Sequence, residues 1–144
     1  MSESDVLAAN LAFYRAFSTG DLVAMEGLWS RQKPVACVHP GWTALLGREA
    51  VMGSWHSILA GREVTEVRCQ NATVHLLTAE CAFVICEERI GEGTLVATNT
   101  FVREGGRWRI VHHQAAPILP DDDDGGATVD EDEEDAGDDG DRLN

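Results

Sequence analysis

The periodicity of the apolar residues changes near residue 64, and this change constrains the fold more than any other feature. Before that point, apolar residues recur at three- and four-residue intervals, as in amphipathic helices. After it, short runs of β-branched and aromatic residues are separated by glycine-containing turns, which is typical of antiparallel hairpins. Helices followed by a hairpin sheet predict one α+β domain, with the helices covering one face of the sheet.

The first part of the chain predicts three helices. Val6–Phe17 has one apolar face, and Asp21 is well placed to cap a second, shorter helix that begins directly after it. Gly47 precedes a third helix, and Gly61 is expected to end that helix in a left-handed conformation. A short strand, Val35–His39, separates the second helix from the third.

The second part predicts a sheet. Its first strand either ends near residue 69 or runs on into the second. The last three strands are joined by short glycine turns and are therefore antiparallel. The predicted strands are Val64–Cys69, Ala72–Leu77, Cys81–Glu88, Thr94–Arg103 and Trp108–Ala115.

Acidic residues are concentrated at the end of the chain. Residues 121–144 hold 13 of the 25 Asp and Glu residues, whereas residues 1–120 are nearly neutral and carry no basic stripe. We therefore expect no nucleic-acid binding. The pattern predicts two regions: a folded domain over 1–120 and a disordered acidic tail over 121–144. The tail serves solubility, attracts a basic partner or loosely holds cations.

The cysteines and the N-terminus indicate the compartment. The four cysteines form no C-x-x-C pair and lie in apolar surroundings, as expected in a reducing compartment. Cys81 and Cys86 should face opposite ways. The acidic start does not resemble a secretory leader, and no apolar run reaches bilayer length. We expect a cytoplasmic protein that does not contact membranes.

Two adjacent histidines near the end of the last strand point to opposite faces of the sheet, because side chains alternate along a strand. We expect His113 to face inward, with Val111 and Ala115 beside it. The reversed register would place His112 and Gln114 inside. In either case one titratable ring lies in the interior, where it is either a catalytic group or a hydrogen-bonded core residue.

Three further polar positions are candidates for chemistry. His39 precedes a proline at a strand end, and its imidazole titrates near neutrality, so it is a candidate general acid or base. Asn99, if inward, would orient a ligand oxygen or tie down a loop. One of Glu87 and Glu88 must face inward or lie at the rim, and we favour a pair at a solvated strand end. A hydrogen-bonded structural role is the alternative for His39.

Large apolar residues are candidates for the lining of a pocket. Trp42 follows the Pro40-Gly41 bend and would form a lid over an apolar ligand or pack as an ordinary core residue. Trp55 and Phe101 are further lining candidates. Arg48 is expected at the surface. No nucleotide, nicotinamide or hydrolase motif is present, and the histidines lack a third metal ligand, so we expect no cofactor and no metal.

The order of these motifs resembles the nuclear transport factor 2-like superfamily, and within it the SnoaL-like branch. The resemblance covers about Ser4–Pro117 and rests on Gly20-Asp21 between two helices, the His39-Pro40-Gly41 strand end, and the Gly47-Arg48-Glu49 helix start, followed by a sheet ending in Trp108 to His113. It implies a cystatin-like cone: a curved antiparallel sheet wrapped around three N-terminal helices, with a blind pocket and a homodimer through the outer sheet face.

Enzymes of this superfamily such as ketosteroid isomerase carry pocket groups at three positions. By the resemblance these fall near Phe13 or Tyr14, on His39 and on Asn99. The isomerase has a base, a phenol and an acid at its pocket positions. This chain would have imidazole, phenyl and amide groups instead, so steroid isomerisation is not expected.

The leading functional prediction is a protein that binds a small, largely apolar ligand of unknown identity. Any chemistry would be cofactor-independent acid–base catalysis of the isomerase, dehydratase or hydrolase type, with His39 as base, Asn99 orienting an oxygen and His113 as the second acid or base. The alternative is a non-catalytic dimeric interaction module that fills its cavity with its own side chains and uses the acidic tail to bind a partner.

Overall fold

The computed structural model of the protein describes residues 3–61 and 66–119, and it confirms the predicted α+β architecture. Three helices precede the four long strands of a six-stranded sheet, whose two short strands lie between the second and third helices. The helices are α1 (Glu3–Thr19), α2 (Leu22–Leu28) and α3 (Arg48–Ala60). The strands are β1 (Ala36–Val38), β2 (Leu45–Leu46), β3 (Val67–Thr78), β4 (Cys81–Ile90), β5 (Gly93–Glu104) and β6 (Arg107–Pro117).

The strand order across the sheet is β2-β1-β6-β5-β4-β3. Strands β3 to β6 form an antiparallel meander, and β1 joins it parallel to β6. The helices cover one face, and the inward residues of β4 and β5 alternate with outward ones, as expected for a half-buried sheet. No helix within the described ranges is long and apolar enough to cross a membrane.

Local signals predicted most element boundaries. The Asp21 carboxylate accepts a hydrogen bond from the backbone N–H of Ala24 at 3.0 Å, which confirms the predicted cap of α2. The first two predicted strands of the sheet, which meet between residues 69 and 72, form one strand, β3, whose register shifts near Asn71. Val64, residue 120 and the acidic tail lie outside the described residues, so the proposed domain boundary stays a prediction.

Two local predictions were wrong. Gly61 has a φ of −99° and is not left-handed, because its N–H donates to the Ser57 carbonyl and closes the last turn of α3 directly. Arg48 is half-buried rather than a free surface residue. Its guanidinium donates to the carbonyl oxygens of Glu26, Trp29 and Ser30, which have no helical partners at the end of α2.

A β-bulge in β6 decides which residues of that strand face the helices. Thr100 pairs with His112 and Phe101 pairs with Ile110, so Val111 is an extra residue without a counterpart on β5. The strand can therefore bury both Ile110 and His113, three positions apart. His113 faces inward as predicted, with Ala115 beside it. Val111, the extra residue of the bulge, is only partly buried against the core, because regular alternation stops there.

Candidate functional site

Five polar side chains meet where α1 packs on the inner face of the sheet. They come from α1 (Asn10, Tyr14), β4 (Glu88), β5 (Asn99) and β6 (His113), and each is at most 3% exposed. We call this group the polar interior cluster. Asn10 and Tyr14 are four residues apart on one helix, so their side chains project from the same face toward the sheet.

Asn99 is the centre of the cluster's hydrogen-bond network. Its amide nitrogen donates to Asn10 Oδ1 at 2.9 Å and to the Tyr14 hydroxyl at 3.1 Å. Its oxygen accepts from His113 Nδ1 at 2.6 Å. The Tyr14 hydroxyl donates onward to Glu88 Oε2 at 2.7 Å. Both amide hydrogens of Asn99 are thus used inside the protein, and the side chain acts as a positioning group for its neighbours.

These bonds fix the tautomer of His113. The Asn99 oxygen can only accept, since the amide nitrogen makes the two donations, so His113 must carry its proton on Nδ1. Its Nε2 is left with a lone pair, 3.9 Å from Glu88 Oε2. A neutral ring in this orientation can accept a proton at Nε2.

Burial shifts the pKa values of the cluster toward neutral forms. Desolvation raises the pKa of Glu88 above its ordinary value, and the hydrogen bond from Tyr14 opposes this only in part. Desolvation, together with the nearby His39 and His112, lowers the pKa of His113 to about 3. The Tyr14 pKa is raised by burial and by the proximity of Glu88. Burial therefore favours the neutral imidazole of His113 and shifts the Glu88 carboxyl group toward its protonated form.

His39 lies next to the cluster in a second group, which we call the His39 corner. The Ser54 hydroxyl donates to the Val51 carbonyl at 2.7 Å, so at 2.9 Å it must accept from His39 Nε2. This leaves the lone pair on His39 Nδ1. Cys37 Sγ lies 3.6 Å and 3.9 Å from the two ring nitrogens. Desolvation lowers the pKa of His39 to about 4, so the ring is neutral near pH 7.

Aromatic rings surround the two histidines, whose own ring centroids are 6.4 Å apart. Trp55 makes an edge contact with His39 at 4.9 Å, and Phe13 lies 5.0 Å from His113. Trp42 contacts the His39 ring at 4.9 Å while 46% of its surface stays exposed. The indole N–H of Trp55 is buried and has no hydrogen-bond partner among the residues that the structure describes. An unpaired donor in such surroundings favours a ligand acceptor.

The structure brings together most of the residues chosen from the sequence. His39, Asn99, His113, Phe13, Tyr14 and Trp55 form one contiguous group, with Trp42 at its edge. Tyr14 brings a phenol hydroxyl into the site, where the sequence had favoured a phenyl group. Phe101 is buried on β5 in the apolar core, two residues beyond Asn99.

Sequence reasoning missed Asn10, Glu88 and Ser54. The favoured solvated pair at Glu87 and Glu88 was wrong, because Glu88 is 2% exposed beneath α1. A parity argument would have found it: Val84, Cys86 and Glu88 follow one another at the two-residue spacing of the inward face. Within residues 3–61 and 66–119, no three His, Cys, Asp or Glu side chains group as metal ligands.

Comparison with protein families and curated proteins gives two results. A family model described as a SnoaL-like domain matches residues 6–120. The F-box protein SKIP8 of Arabidopsis thaliana is 26% identical over 118 residues, which are 81% of this chain. The chain spans 51% of the length of that protein.

Solved structures are also similar. A "putative dehydratase from the NTF2-like family" of Streptomyces avermitilis is 32% identical, with a TM-score of 0.74 over 81% of this chain and 96% of the other. A "putative calcium/calmodulin-dependent protein kinase type II association domain" of Thiobacillus denitrificans is also 32% identical, with a TM-score of 0.70 over 78% and 94%. An NTF2-like protein of Pseudomonas putida, at 18% identity and a TM-score of 0.72, shares the fold over 88% and 92%.

Proposed function

We propose a function that starts from the family: this chain belongs to the SnoaL-like family. The protein binds a small, largely apolar molecule and dehydrates it by cofactor-independent acid–base chemistry. The pair of buried neutral imidazoles carries this proposal. Each ring has one nitrogen committed to a protein acceptor, Ser54 or Asn99, and a lone pair on the other. Such a nitrogen is a proton acceptor at neutral pH.

In the proposed reaction, the His39 corner supplies the base and the polar interior cluster supplies the acid. His39 Nδ1 takes a proton from the carbon next to a substrate carbonyl, and the Glu88 carboxyl group gives its proton to the departing hydroxyl, which leaves as water. The electrons of the broken C–H bond form the new C=C bond. The proton then returns from His39 to the Glu88 carboxylate by way of His113, whose Nε2 lies 3.9 Å from Glu88 Oε2. Asn99 and Tyr14 hold these groups in place.

Two features around His39 support binding of a ligand there. Trp42 is half-exposed beside the histidine, so it offers an apolar wall between solvent and the ring. The buried Trp55 N–H lacks an acceptor, which a carbonyl oxygen of the substrate would supply. The similar structure from Streptomyces avermitilis, named a "putative dehydratase", supports the choice of reaction class.

A simple probe tests this proposal. The protein is incubated in D₂O with β-hydroxycyclohexanone, and NMR follows deuterium uptake next to the carbonyl and formation of the conjugated enone. We expect both processes with the native protein, and neither with the His39→Gln variant. His56→Gln is the matched control, because His56 is exposed on the same helix as Ser54. Equal rates for both variants would contradict the assignment of His39 as base.

The second candidate function is a non-catalytic dimerisation module. It is favoured by the hydrogen bonds within the polar interior cluster, which join its five side chains to one another beneath α1. The outer sheet face carries exposed apolar side chains at Ile85 (39%) and Val96 (40%), which we propose as the homodimer contact in either case.

Sedimentation of two charge variants tests the dimer. Ile85→Glu places a charge on the outer sheet face and should yield monomers. Val23→Glu is the control, because Val23 is 81% exposed on α2, away from that face. A dimer that survives Ile85→Glu would exclude this face. A protein that is inactive toward β-hydroxy ketones and carries no ligand in native mass spectrometry would favour the module.

A further inference from the structure

A groove of about 790 Å³ lies between α1, α2 and the start of β6, and none of the polar interior cluster lines it. Four arginines from three parts of the chain line this groove: Arg15, Arg31, Arg107 and Arg109. We call it the arginine groove. Its one acidic lining residue, Asp21, already caps α2. The groove therefore carries a net positive charge in a domain that is otherwise nearly neutral.

Three of these arginines are available to an anion. Arg109 is held by the Gly27 carbonyl and lies 4.0 Å from Glu104. Among the described residues, no salt bridge or hydrogen bond engages the guanidinium groups of Arg15, Arg31 and Arg107, which are exposed. Desolvation and the charges of Arg31 and Arg109 lower the pKa of nearby Arg48, and the carboxylates of Glu26 and Glu104 oppose this only in part.

We propose that the arginine groove binds the second acidic run of this chain's own tail, residues 130–135. That run has six consecutive Asp and Glu residues. The proposal is independent of the proposed dehydration, because the groove and the interior cluster share no residue. Arginine forks bind carboxylates in pairs, so clustered acidic side chains are the chemistry that the groove fits.

The length of chain after Ile118 favours the second acidic run over the first as the occupant of the groove. Ile118 is anchored by its N–H to the Thr94 carbonyl, and Arg109 lies nine residues back along β6, roughly 30 Å away at strand spacing. The first run, residues 121–124, ends six residues beyond Ile118 and reaches at most about 22 Å. The second begins twelve residues beyond and reaches up to about 43 Å. The first run would have to be fully extended to touch Arg109 even with the side chains included, whereas the second reaches the groove with slack.

The test uses the full chain and the reaction of phenylglyoxal with arginine, read residue by residue by mass spectrometry. In one variant the six acidic residues of 130–135 become Asn or Gln, and in the other the four of 121–124 become Asn. We expect the 130–135 variant to modify Arg15, Arg31 and Arg107 several-fold faster than the native chain does. The 121–124 variant should react like the native chain. Arg68 is the internal control, because it is exposed on β3, away from the groove.

High salt should abolish the protection of the native chain, since it screens charge pairs at the surface. Three outcomes overturn the proposal. Equal reactivity of the groove arginines in all three chains means that the tail does not bind there. Equal effects of the two variants mean that the length of chain between Ile118 and the acidic run does not determine which run binds. Protection that disappears on dilution means that the acidic run comes from another molecule.

Discussion

The polar interior cluster and the His39 corner are neighbours, with histidine ring centroids 6.4 Å apart, but they are held in different ways. In the cluster, one amide joins three partners from α1 and β6, and every side chain has at least one hydrogen bond. In the corner, His39 has one short hydrogen bond, to Ser54, and the adjacent Trp55 N–H has none. The cluster should therefore govern stability, and the corner should be freer to serve a ligand.

The largest effect is expected from Asn99→Leu. This change leaves the Asn10 oxygen, the Tyr14 hydroxyl and the His113 N–H each short of a buried partner. The free energy of unfolding should fall by about 4 kcal/mol in urea titrations. Thr98→Val is the control, because the Thr98 side chain is next to Asn99 in sequence but faces the other side of β5. This change should lower the free energy of unfolding by less than about 0.5 kcal/mol. Equal losses would mean that the network does not hold the fold together.

Tyr14→Phe should have the next largest effect, a loss of about 2 kcal/mol, because it removes the donor to Glu88 and leaves that buried carboxyl group unsatisfied. A double-mutant cycle with Glu88→Leu measures the pair directly. With both partners removed, the loss should be smaller than the sum of the single losses. Additive losses would show that the 2.7 Å contact contributes nothing to stability.

The pH dependence of stability compares the two histidines. Their pKa values fall from 6.5 in the unfolded chain to about 4 for His39 and about 3 for His113. Each therefore contributes stability above pH 6.5 that is lost on acidification, by about 1.4 kcal/mol per pH unit. The raised pKa of Glu88 has the opposite sign: its contribution is present at low pH and is lost as the pH rises.

Two variants separate these contributions in urea titrations from pH 7 to pH 5. His39→Gln should make the acid-side loss of stability shallower, since one proton-linked group is removed. Glu88→Gln should make it steeper, since the opposing group is removed. An unchanged slope in His39→Gln would mean that the pKa of this ring is the same in the folded and unfolded protein, as for a solvent-exposed imidazole.

The smallest effect is expected in the corner. Ser54→Ala removes the acceptor for His39 Nε2 and should cost about 1 kcal/mol. Nitrogen-15 NMR should show that His39 no longer favours the Nε2–H tautomer, while His113 keeps its Nδ1–H form. Ser57→Ala, an exposed position on the same helix, is the control. A loss as large as that of Asn99→Leu would remove the distinction between the two regions.

The sequence predicted what local signals determine. The helix periods, the Asp21 cap and the glycine turns act within a few residues, so the order of elements and the meander could be inferred. The inward direction of His113 was also inferred, but the bulge at Val111 was not, because a bulge depends on pairing with β5 rather than on β6 alone.

Features that arise from packing between distant segments were not predictable. Glu88 is buried because Tyr14, 74 residues earlier, lies over it and donates a hydrogen bond. Arg48 is held by the carbonyl groups at the end of α2, and nothing in the Gly47-Arg48-Glu49 motif indicates that contact. In each case the helix that determines the environment is far away in sequence.

The bulge in β6 gives that strand a spare residue. Deleting one residue from a buried strand normally turns every following side chain over. Without Val111, however, Ile110 and His113 would be two positions apart, which is the spacing of a regular strand that buries both. The gene for this chain should therefore tolerate loss of that codon, while loss of the codon for Ala97, in the regular part of β5, should prevent folding.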